Sequence, residues 1–60
     1  MWKVIRHSGR KNEEWKVRYE GSREVAAEKF VGIKKKLRLG GVALVNPTGE
    51  ITARVTISKA

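Results

Sequence analysis

The sequence predicts a two-layer α+β domain of order β-β-α-β-β, in which antiparallel hairpins form a sheet and one helix packs on one face. Three observations carry that prediction. The tripeptide Trp-Lys-Val occurs at Trp2-Lys3-Val4 and again at Trp15-Lys16-Val17, each time opening a short stretch of strand composition. Ala26, Phe30, Ile33 and Leu37 recur in steps of four, three and four, the spacing of one helix face. From residue 51 to 58, Ile51, Ala53, Val55 and Ile57 alternate with Thr52, Arg54, Thr56 and Ser58, the period of a strand with one buried face.

The first strand is expected over residues 2–7 and the second over 15–20. Side chains alternate across a strand, so Trp2 and Val4 share one face and Lys3, Ile5 and His7 the other. The same alternation assigns Trp15, Val17 and Tyr19 to the core and Lys16, Arg18 and Glu20 to solvent. The polar residues 8–14 read as a hairpin loop longer than a tight turn. Ser22 suits a helix N-cap, although Val25 stands where a capping box needs Glu or Gln. Glu24 and Glu28 near the helix start and Lys34, Lys35 and Lys36 near its end complement the helix dipole, by about 0.3–1 kcal/mol each. Gly32 is a soft spot costing about 1 kcal/mol relative to Ala. Gly40-Gly41 supplies the stop, one of the pair in the left-handed conformation.

Val42-Ala43-Leu44-Val45 reads as the third strand. Asn46-Pro47-Thr48-Gly49 is the clearest turn: Pro47 suits the first central position of a type I turn and Gly49 the left-handed residue after it. The fourth strand follows. The expected core is Trp2, Val4, Trp15, Val17, Tyr19, Ala26, Phe30, Ile33, Leu37, Val42, Leu44, Ile51, Ala53, Val55 and Ile57. Sequential strands tend to be neighbours, which defines the two hairpins and leaves open how they join.

Sixty residues are expected to form one small basic domain, 1–60. A chain of this size buries only about 60% of the surface its unfolded form exposes. The absence of cysteine removes disulfides and thiolate metal sites, and a reducing cytoplasm, including the nucleoid, fits best. Met1-Trp2-Lys3-Val4 lacks the apolar segment of a signal peptide, and with no tag visible the native chain is expected to begin here. No apolar run approaches a membrane span.

The residue inventory argues against an enzyme. His7 is the single histidine, and Asp and Cys are missing. His7 and Ser8 are adjacent, so they point apart on a strand and make no nucleophile–base pair. Glu13 and Glu14 are neighbours in a loop, and Gly40-Gly41 is not followed by the Lys-Ser or Lys-Thr of a phosphate loop. No metal site and no cofactor are expected.

Fourteen Lys and Arg against six acids give a formal charge of +8, an excess that favours polyanionic partners. On the alternation above, Lys3, Lys16, Arg18 and Arg54 share the open sheet face with Thr52 and Thr56 and form the first candidate surface for phosphates. Lys34, Lys35, Lys36 and Arg38 at the helix end form the second, with Arg10 and Lys11 as an accessory loop pair. Base stacking is disfavoured because Trp2, Trp15 and Tyr19 all fall on the core side. The expected function is therefore that of a small nucleic-acid-binding protein, DNA before RNA, with low sequence selectivity. The competing expectation is a non-enzymatic protein-interaction or inhibitory module, such as a phage or mobile-element accessory protein, docking on a larger protein or ribonucleoprotein. An acidic protein would suit the same basic surface. Ile5, Val31 and Val45, all directed off the expected core, would supply its contacts, and a homodimer would double the basic face. A membrane-surface role is disfavoured, since the basic helix keeps its apolar side for the core.

Overall fold

A computed structural model describes residues 1–7, 9 and 14–57. The elements are β1 (Trp2–His7), β2 (Lys16–Gly21), α1 (Arg23–Lys36), β3 (Gly40–Val45) and β4 (Ile51–Ile57). This is the expected β-β-α-β-β order. Most of the expected hairpin loop, with Arg10 and Lys11, and the terminal Ser58 lie outside the described residues.

The strands form one antiparallel sheet of order β2-β1-β3-β4. The two hairpins therefore join through β1 and β3. Both β2 and β3 run antiparallel to β1, so they are parallel to each other, and α1 is the crossover between them. Along α1, Ala26 and Phe30 are buried, as is Leu37 just past its end, against Val4 and Val42. Trp2, Tyr19, Ile33, Leu44, Ala53, Val55 and Ile57 are partly buried around them. Among the described residues no helix is long and apolar enough to cross a membrane.

Local chemistry sets the ends of these elements. Ser22 Oγ accepts the Val25 backbone N–H at 3.4 Å, a weak N-cap. Leu37 leaves helical geometry with ψ at 125° and donates its N–H to the Lys34 carbonyl at 3.3 Å. That extension turns its side chain down into the core. Gly40 opens β3 at φ 97°, a conformation that disfavours any side chain. In the β3–β4 turn, Asn46 Oδ1 accepts the N–H groups of Thr48 at 3.1 Å and Glu50 at 2.8 Å, while Gly49 adopts φ 91°.

Two irregularities in register change the faces. Val4 pairs with Tyr19 but Ile5 pairs with Val17, leaving Arg18 as an extra residue in β2. Leu44 pairs with Ala53 but Val45 pairs with Ile51, leaving Thr52 extra in β4, its hydroxyl donating to the Leu44 carbonyl at 3.2 Å. Each extra residue reverses the parity of the strand beyond it. Three expected core residues are thereby corrected: Trp15, Val17 and Ile51 lie away from the helix, 41%, 51% and 50% exposed.

The split between inner and outer helix positions gives a direct stability test. Phe30→Ala is expected to cost about 3–5 kcal/mol, whereas Val31→Ala, at an exposed position, should stay within about 0.5 kcal/mol. Urea titration followed by circular dichroism checks both, and equal losses would contradict the burial pattern.

Candidate nucleic-acid interface

The bulge at Arg18 redistributes the cations expected on the open face. Arg6 has the parity of Trp2 and Val4, so it lies on the helix side of the sheet. Lys16 pairs with Arg6 and shares that side. Arg18, the unpaired residue, joins Arg6, Ile33 and Lys36 in lining an open pocket of about 260 Å³ beside the end of α1. The first candidate surface is thus divided. Lys16 goes to the helix side because the strand gains a residue between it and Tyr19, and Arg18, that extra residue, reaches the pocket on the same side. Lys3 and Arg54 stay on the open face, the latter paired with Ala43 of β3.

The pocket combines what were two separate candidate surfaces. Arg18 belongs to the first and Lys36 to the second. Lys34 and Lys35 occupy the same last helical turn, exposed, and Arg38 follows it, also exposed. Arg6 was missed because it sits at a core parity. The signal was nonetheless present: a cation following Trp2 and Val4 at the same spacing marks where the core face of β1 runs out. Ile33 gives the pocket an apolar wall along which Arg and Lys stems can lie, their charged heads remaining in water. No carboxylate lines it. The C-terminal end of the helix dipole lies at this corner and favours positive charge there. Two guanidinium groups and one ammonium around one opening can hold a phosphate or carboxylate through charge-assisted hydrogen bonds.

The open face has a different character. One cross-strand row reads Val17, Ile5, Ala43, Arg54; the next reads Glu20, Lys3, Val45, Ile51. The Lys3 ammonium stands 4.0 Å from a Glu20 carboxylate oxygen, both side chains about half exposed. This is the sole ion pair among the described residues, and such exposed pairs contribute about 0–1 kcal/mol. Beyond these rows, the Trp15 and His7 rings lie 5.4 Å apart at 36°. The Gly9 N–H donates to His7 Nδ1 at 3.1 Å, which orients the imidazole. Trp15 also lies over Gly41, where an added Cβ would come within 2.7 Å of its Cη2. The exposed Trp15 removes the premise that all aromatics are turned to the core.

Gly41→Ala is expected to displace Trp15. In a Trp2→Phe background, Trp15 emission should shift to the red and acrylamide quenching should rise. Unchanged emission would mean that the ring does not rest on Gly41. Compared with protein-family models, curated proteins and solved structures, the chain matches none.

Proposed function

We propose that this chain is a non-enzymatic nucleic-acid-binding protein that holds backbone phosphates in the groove between the β1–β2 hairpin and the end of α1. One observation carries the reading: Arg6, Arg18 and Lys36 converge on a single pocket with no carboxylate in its lining, on a chain of formal charge +8. Lys16, paired with Arg6, extends the cationic strip along β2. Lys34, Lys35 and Arg38 add long-range attraction from the helix end, and Lys3 and Arg54 take no direct part. Contacts of this kind set affinity and carry little sequence information. Duplex DNA is the first partner to test, with RNA as the comparison. A role of this kind belongs in the cytoplasm or nucleoid.

The second reading, a protein-interaction module of the accessory or inhibitory kind, draws on Trp15, Val17 and Ile51, the exposed apolar residues of the open face. An acidic protein surface would be its partner in the groove.

Fluorescence anisotropy with a labelled duplex tests the first reading. Four phosphate contacts give a slope of log K against log[salt] of about −3.6, and replacing Arg18 and Lys36 together by Ala should reduce it by about 2 and weaken binding at least tenfold. Arg54→Ala should change neither. Wild-type affinity in the Arg18/Lys36 double variant would remove the groove as the site.

A further inference from the structure

We propose that the open face of the sheet is a self-association surface, on which two copies of the chain pack sheet to sheet about a two-fold axis parallel to the strands. The two bulges build this face. They bring Val17 and Ile51 onto it from opposite edges, each about half exposed, to flank Ile5, Ala43 and Val45. Trp15, 41% exposed, extends the apolar area over Gly41. Ala43 and Val45 are themselves buried and Ile5 is half-buried, so Trp15, Val17 and Ile51 are the side chains that offer apolar surface to a partner. The chain also has reason to gain a partner. Among the described residues only Val4 and Val42 are large side chains with essentially no exposure, and small domains commonly add oligomerisation to a limited core.

Charge identifies the occupant. Among described residues the open face carries Lys3 and Arg54 against Glu20, a net +1 with His7 neutral, while the whole chain carries +8. It carries little of the net positive charge of a strongly basic molecule. A polyanion is drawn elsewhere, and a second equally basic copy can approach here with little repulsion. Nucleobases fit less well, because Ile5, Val17 and Ile51, the exposed or half-buried aliphatic positions of the face, offer no ring to stack on.

The pattern also selects the axis. A two-fold axis along the strands lays β2 of one copy over β4 of its partner and β1 over β3. Glu20 then faces the partner's Ile51, one row from the partner's Arg54. Stacked sheets lie about 10 Å apart, so these two long side chains can meet across the gap. An axis across the strands through the middle row would instead set Arg54 against the partner's Arg54. The face measures roughly 20 by 20 Å from strand spacing and rise. It would bury on the order of 1,000 Å² over both copies, near the lower bound of specific interfaces, so a weak, concentration-dependent dimer is expected. Both basic grooves stay on the outside of such a dimer. The proposal is independent of the nucleic-acid reading.

Sedimentation equilibrium on nuclease-treated protein, from about 5 to about 500 micromolar, covers the range in which a weak dimer of this size would assemble. The wild type should pass from monomer to dimer mass. Val17→Glu and Ile51→Glu, at opposite edges of the face, should each raise the dissociation constant at least about tenfold with unchanged far-ultraviolet circular dichroism, since each buries an unpaired charge. Val31→Glu on the outer face of α1 should associate like the wild type. Glu20→Arg should weaken the dimer and the further change Arg54→Glu restore it; failure to restore would overturn the axis. Monomer mass throughout, or wild-type association in both Val17→Glu and Ile51→Glu, would overturn the proposal. Quenching of Trp15 emission by a single-stranded oligonucleotide in a protein that stays monomeric would assign the face to bases instead.

Discussion

Arg18 has no partner in β1: Tyr19 stands opposite Val4, and the next cross-strand pair is already Val17 with Ile5. The arrangement of both sheet faces follows from this one extra residue. Tyr19 keeps its place beside the helix, where it packs against the core around Val4 and Phe30. Everything earlier in β2 is turned over. Trp15 and Val17 emerge on the open side, and Lys16 passes to the helix side. Arg18 itself reaches the corner where α1 ends and Arg6 already sits. Positive charge is favoured there by the helix dipole, and Arg and Lys stems can cover Ile33.

The second bulge, at Thr52, does for β4 what Arg18 does for β2. The two bulged strands are the two edges of the sheet. Bulges are frequent on edges, where they twist the strand and discourage a further strand from pairing. In this chain they also move Val17 and Ile51 outward. The edges are thus made less adhesive while the face becomes more apolar, which favours contact through the face over growth along the sheet. The helix side and the open side divide the labour: one gathers cations, the other gathers aliphatics.

Much of the fold was legible in the sequence because it rests on short-range rules. Ala26, Phe30 and Leu37 are buried as their spacing required. Ser22 caps the helix, Gly40 is left-handed, and Asn46 to Gly49 form the turn their chemistry implies. The candidate site was legible in its residue types and not in its grouping. Arg18 and Lys36 were both candidates, but on separate surfaces. Arg6 was hidden by a parity that usually means burial.

The sequence by itself determined the elements, their order, the turn and the helix face, because backbone periodicity and caps depend on neighbours a few residues away. It also determined the excess of positive charge. Only the tertiary structure decided the strand order and which face Trp15, Lys16, Val17 and Ile51 occupy. A bulge depends on the residue across the ladder, and that partner is set by how the whole sheet closes under the helix. An alternation such as Trp15-Lys16-Val17 is the same string on either face, and one extra residue at Arg18 chooses between them.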